Sequence, residues 1–400
     1  MFNNIREVTF KINDYCNLDC EYCFQKHDVK EQHQGFTDYE KLLCFMKKLP
    51  LDQEHIEFKI TGGESSLCID KTRDPYRVLK KLERSKKTKV IFSTISNGTN
   101  MNGLLGLMDD GILDPNYCKI SYDGIYSATK SRKVKKNKET YTDKFFNDQI
   151  ALLGSSNYGS QVLVRTALTN STIDDLSESL KFIVSTGCKQ WEYYYISDYP
   201  MYKEKEFQDK FYLVLQSLIS TYEDNDFSFY NYETWKYTQR ADNDYRLTMC
   251  RHLGRFLYID DQGYIYPCGY FSPDGYYEEE KFCIGHITKG FDRERLEAFS
   301  KEYFERPSCA VVSDNKCAMT HCFECPAVSH YRYNKMNIRS MQQCHMRLIE
   351  HLKFKHCKKK LNLTDLDKVM TPYNLGMESG IPDNLPYMKN SKTKGEKTNE

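Results

Sequence analysis

No apolar run in this chain is long enough to cross a bilayer, and its opening residues, MFNNIREVTF, lack the apolar core of a secretory signal. Membrane insertion and export are not expected, which leaves the cytoplasm as the expected compartment. Net charge is lacking as well: 57 Lys+Arg meet 56 Asp+Glu. Without a field of one sign, neither nucleic acid nor an anionic membrane is an expected partner. The densest basic run, KSRKVKKNK at 130–138, reads as a solvated loop. No internal repeat is present.

What is present is alternation. Residues 1–235 alternate short β-branched or aromatic runs with longer helical patterns, which predicts βα units around a parallel sheet. Strands are expected at 7–12, 56–60, 89–95, 118–122, 161–168 and 190–196. Helices are expected at 38–49 and 172–187, the second with a Thr cap and a stop at Gly187. Six such units predict an α/β fold, a partial (β/α)6 TIM-like barrel or an open doubly wound sheet. From 246 to 350 short strands, turns and cysteines predict a second, small, cysteine-rich α+β domain, with FLYIDDQGYIYPCGYF (256–271) as a hairpin. Residues 351–400 read as a basic helical stretch and a disordered end.

Sheets of this kind bind ligands at the carboxyl ends of their strands. Polar, glycine-rich turns follow the first four strands: the loop CNLDCEYC, then TGGES, SNGT and DG. Sixteen cysteines in a chain of this size suggest metal or redox chemistry rather than disulfides. Cys16, Cys20 and Cys23 are the tightest group. Three thiolates and His27 suit tetrahedral zinc; three thiolates alone hold a four-iron cluster with one iron left open. Spacing alone leaves both readings standing.

The C-x3-C-x2-C loop resembles that of the radical S-adenosylmethionine (radical SAM) enzymes, and TGGES resembles their GGE motif. The resemblance implies a 4Fe–4S cluster on Cys16, Cys20 and Cys23, with S-adenosylmethionine on its open iron. It assigns Gly62, Gly63 and Glu64 to the methionine amino group, and Tyr22 and Phe24 to the surroundings of the adenine. Ser96, Asn97, Ser121 and Asp123 are nominated for ribose or carboxylate contacts, and Arg132 falls near a family arginine. The implied chemistry is one-electron reduction of the cluster and formation of a 5′-deoxyadenosyl radical, which takes hydrogen from substrate. An electron donor such as flavodoxin or ferredoxin is implied.

Cys250, Gly263 and Cys268, in the pattern C-x12-G-x4-C, resemble the opening of the SPASM domain, an auxiliary-cluster module of peptide-modifying radical SAM enzymes. Cys309, Cys317, Cys322, Cys325 and Cys344 match its later cysteines in order, with different gaps. The resemblance implies two auxiliary 4Fe–4S clusters. Cys309, Cys317, Cys322 and Cys344 would hold the outer one, and Cys250, Cys268 and Cys325 the inner one, with Cys283 as fourth ligand or an iron left open. A zinc ribbon on the same cysteines is the alternative. The expected function is modification of a ribosomally made peptide or protein, by a thioether or carbon–carbon crosslink or a related change. Only fifteen residues precede Cys16, so a separate leader-peptide-binding protein, or recognition by the SPASM lobe, is expected. Formylglycine formation on a sulfatase is the alternative activity. Enzymes of that kind carry an acidic residue after the cysteine of the YPC segment, where this chain has Gly269. A non-catalytic iron–sulfur or zinc protein is the third reading.

Overall fold

A computed structural model of the chain describes residues 4–23, 35–134, 141–196, 200–231, 254–275, 280–304, 325–334 and 344–355, with a few short pieces besides. Phe24, His27, Cys250, Cys317 and Cys322 lie outside the described residues, and Cys309 and Cys344 are described only as backbone. Among the described residues no helix is long and apolar enough to cross a membrane.

Strand formation follows the period-two pattern of the sequence. Six parallel strands, β1 (Glu7–Lys11), β3 (His55–Thr61), β4 (Lys89–Ser96), β5 (Lys119–Ser121), β7 (Leu163–Leu168) and β8 (Gln190–Tyr195), stand in that order. Each lies within two residues of its expected bounds. Their outward positions, among them Phe10, Phe58, Phe92, Val164 and Tyr193, are buried. Helices cover this face: Phe10 meets Tyr39 of helix Tyr39–Met46, Phe92 meets Tyr76 of helix Ile69–Leu79, and Tyr193 meets Phe211 of helix Lys205–Asp224. Burying each such side chain contributes about 1.5–3 kcal/mol.

Inward positions alternate with these and carry charge: Glu7 and Lys11 on β1, Glu57 and Lys59 on β3, Lys119 on β5, Arg165 on β7 and Glu192 on β8. The barrel interior is therefore polar.

The hairpin is present as β10 (Phe256–Ile259) and β11 (Tyr264–Tyr266). Asp260 makes the turn, its Oδ1 accepting from the backbone N–H groups of Gln262 (3.0 Å) and Tyr264 (2.8 Å), while Gly263 takes a positive φ of 89°. β10 pairs in parallel with β1, so the second lobe prolongs the barrel sheet. At the other edge β9 (Ser228–Phe229) pairs in parallel with β8, and helix Cys344–Lys355 lies beside them: Tyr193 donates a hydrogen bond to Glu350, and Phe354 packs edge-on to Phe229 at 5.9 Å. The C-terminal residues thus clasp both edges of the open barrel.

Two local expectations are corrected. The expected helix 172–187 runs as a turn Ile173–Asp175 and a helix Leu176–Ser185. Thr172 does not cap it, because its hydroxyl donates to the Ala167 carbonyl at 2.6 Å. The basic run is not wholly solvated either: its Arg132 is 1% exposed.

Candidate functional site

The cysteine loop grows from the carboxyl end of β1 and is held by the turn after β3. Gly63 N–H donates to both the Asn13 carbonyl and Asn13 Oδ1, each at 3.1 Å, and Glu64 N–H donates to the Tyr15 carbonyl at 2.8 Å. A Cβ on Gly62 would lie 2.4 Å from Asn13 Oδ1, and one on Gly63 would lie 2.3 Å from the Tyr15 carbonyl. Both glycines let this backbone seat the cysteine loop.

The Glu64 carboxylate is 2% exposed and committed to the fold. It accepts from Ser66 N–H (2.9 Å), Ser96 Oγ (2.7 Å) and Asn97 N–H (2.6 Å). It caps the turn Ser65–Cys68 and clamps the end of β4. Asn97 in turn donates to Asn17 Oδ1 at 2.9 Å, inside the cysteine loop, with Cys16 Sγ 3.9 Å away.

A second clamp closes the loop from across the barrel. Strand β2 (Leu18–Cys20) pairs antiparallel with β6 (Arg132–Val134), which sets Cys20 opposite Arg132. Arg132 Nε donates to Asp123 Oδ2 at 3.0 Å, and Tyr22 donates to the same oxygen at 2.5 Å. The Arg132 and Asp123 side chains are 1% and 0% exposed. Removing either partner would leave an uncompensated buried charge, a cost of about 3–5 kcal/mol. Burial pushes the Cys20 thiol up to about 12, Arg132 opposing the rise. A bare thiol there stays protonated at neutral pH, so metal binding must displace the proton.

The structure therefore gathers Cys16, Cys20, Cys23, Tyr22, Gly62, Gly63, Glu64, Ser96, Asn97, Asp123 and Arg132 on one rim, with Ser121 at the end of β5. The donor set fits a cluster-and-cofactor site: three thiols on one loop, at the rim of a barrel whose inward strand positions carry charge.

In the second lobe Cys268 and Cys325 share surroundings. The fields of both reach Tyr270 and Tyr277, and Tyr270 also feels Cys23 and Arg165. Cys283 sits apart from them, with Tyr258 and Tyr266, its thiol donating to the Gly285 carbonyl at 3.2 Å. Asp274 links this lobe to the rim, accepting from Lys11 Nζ and from Tyr258 OH, both at 2.5 Å.

Several site residues have no motif to announce them. Asn13 and Asn17 flank the first cysteine as ordinary loop residues. Arg165 leaves one trace, a lone charge inside the apolar run QVLVRTAL.

Fold and site together define a class by architecture: an open α/β barrel of six parallel strands with a three-cysteine loop on its carboxyl rim, continued by a C-terminal lobe that joins its sheet. A family model described as a 4Fe-4S single cluster domain matches residues 5–144. The chain is similar to an S-adenosylmethionine-dependent nucleotide dehydratase of Flammeovirga pacifica, 25% identical over 202 residues, 48% of this chain and 63% of that one. The match thus spans less than two thirds of that relative. Among solved structures, anSMEcpe with bound AdoMet is similar over 89% of this chain and 98% of its own, with a TM-score of 0.64 at 16% identity. SuiB of Streptococcus suis bound to S-adenosylmethionine is similar over 85% of this chain and 77% of its own, with a TM-score of 0.56 at 13% identity. At these identities the likeness is one of fold.

Proposed function

We propose that the chain is a radical SAM enzyme that abstracts hydrogen from a peptide substrate and so installs a modification. The observation that carries this reading is the doubly clamped three-cysteine loop at the carboxyl rim of a barrel with a polar interior. Bound there, a reduced 4Fe–4S cluster with S-adenosylmethionine supplies hydrogen-atom abstraction from an unactivated carbon. Cys16, Cys20 and Cys23 would hold the cluster. Glu64, Ser96, Asp123 and Arg132 act mainly by positioning, since their side-chain bonds close within the fold. The amides of Gly63 and Glu64 are spent on the cysteine loop, so the side chain of Ser121 is the group on this rim left for the cofactor. Cys268 and Cys325 belong to one auxiliary site, and the separate surroundings of Cys283 argue against its completing that site.

A peptide substrate is supported by the fold shared with anSMEcpe bound to the Kp18Cys peptide and with SuiB bound to the precursor peptide SuiA. Formylglycine formation is disfavoured by Gly269, which has no side chain to serve as the acidic residue of that activity. A nucleotide substrate is the second reading, favoured by the similarity to the nucleotide dehydratase.

Anaerobic reconstitution, reduction and chromatography for 5′-deoxyadenosine test the enzyme. Wild type should form it and Cys20→Ser should not; intact clusters without product would reject the reading. An intact-mass change on a peptide, or consumption of a nucleotide, then separates the two substrates.

A further inference from the structure

Among the described residues, cations of the barrel interior and rim each have at least one carboxylate to themselves, with one exception. Lys11 is held by Asp14 and Asp274, Lys59 by Glu7 and Glu57, and Arg132 by Asp123. On the opposite wall two cations share one carboxylate. Glu192 Oε1 lies 3.2 Å from Lys119 Nζ and 3.1 Å from Arg165 Nε, so this group carries one positive charge in excess.

Arg165 is built as a fork with an empty end. Tyr194 stacks against its guanidinium at 4.2 Å, and Glu192 sits beside Nε without hydrogen-bond geometry. Among the described residues its two Nη nitrogens donate no hydrogen bond, although the side chain is only 20% exposed. A guanidinium held this way by stacking and one ion pair is pre-organised for a planar, two-oxygen acceptor. Its strand partner is Ser121, whose hydroxyl is likewise without a bond among the described residues. Arg165 therefore stands level with the end of β5, and its field reaches Tyr270 on the second lobe.

We propose that Arg165, with Lys119 behind it, is a recognition site for a single carboxylate of the peptide substrate, an Asp or Glu side chain or the chain terminus. The proposal rests on the peptide-modifying reading. The local excess of one charge favours a single carboxylate over a polyphosphate, because the Lys11 and Lys59 sets each hold two carboxylates on one cation and would repel further negative charge.

The test is footprinting of the cluster-loaded protein with phenylglyoxal, which modifies free guanidinium groups, read at Arg165 by peptide mass mapping. The probes are triglutamate amide, triglutamine amide, inorganic triphosphate and S-adenosylmethionine. Triglutamate should protect Arg165 and triglutamine should not. Arg165→Gln should weaken triglutamate binding by about tenfold or more, the loss expected for one charge-assisted pair, and Arg165→Lys should restore it only in part. Stronger protection by triphosphate would point to a nucleotide and overturn the proposal. Protection by S-adenosylmethionine alone would make Arg165 a ligand of the cofactor, with the same consequence. Absence of any protection would refute the site outright, and the wild-type footprint needs no variant to fold. 5′-Deoxyadenosine measured in the same preparation keeps the outcomes apart: product without protection removes only this site, and protection without product removes only the enzyme.

Discussion

The two faces of the same six strands are unlike in kind. Outward, Phe10, Phe58, Phe92 and Tyr193 pack against helices and shed water. Inward, Glu7, Lys59, Glu57, Lys119, Glu192 and Arg165 form ion pairs in a polar interior. The outer face supplies stability, because burial of apolar area is favourable wherever it occurs. Buried ion pairs supply little net stability, since desolvation offsets their attraction. They occupy inward positions where apolar layers commonly fill a barrel.

That contrast can be broken by mutation. Phe92→Ala on the outer face should cost about 3–5 kcal/mol, read by denaturant unfolding, with iron content per folded chain unchanged. Loss of iron without loss of stability would invert the roles of the two faces. Arg132→Met, on the rim, should also cost about 3–5 kcal/mol but should lower iron content as well, because Tyr22 and the cysteine loop lose their anchor. Iron retained in full would show that the second clamp is dispensable.

Away from both faces, His330 offers a control within the second lobe. Burial, with Lys281 adding to it, lowers its pKa to about 4. Between pH 6.5 and 4 the unfolded chain takes up the proton and the folded chain does not, so stability falls on acidification, by up to about 3 kcal/mol. His330→Gln should flatten that part of a plot of unfolding free energy against pH; an unchanged slope would remove His330 as its source. The smallest effect is expected inside the barrel: Glu7→Gln and Glu57→Gln together with Lys59→Met, which removes the whole set, should change stability by no more than about 1 kcal/mol in thermal unfolding. A loss as large as that of Phe92→Ala would mean that the interior charges support the fold after all.

Much of this was legible in the residues. The runs EVTFKI and KVIFSTI alternate with a period of two, and a strand must then present two faces, so all six strands could be read locally. The gathering of Cys16, Cys20 and Cys23 on one loop was legible because their spacing is short. Less legible was the work of the rim. TGGES suggests a cofactor turn, yet Gly62 and Gly63 seat the backbone of residues 13–15 and Glu64 clamps β4. Thr172 has the composition of a cap, but a nearby carbonyl competes successfully for its hydroxyl.

Local order, from the alternation of strands and helices to the spacing of thiols, is dictated by short-range sterics and by the burial needs of each segment, and these are written into consecutive residues. The pairing of Cys20 with Arg132, the joining of β10 to β1 and the open fork of Arg165 depend on neighbours many residues away. Such contacts exist only once the chain has closed on itself, because a side chain is left without partners or supplied with them by the groups that folding brings beside it.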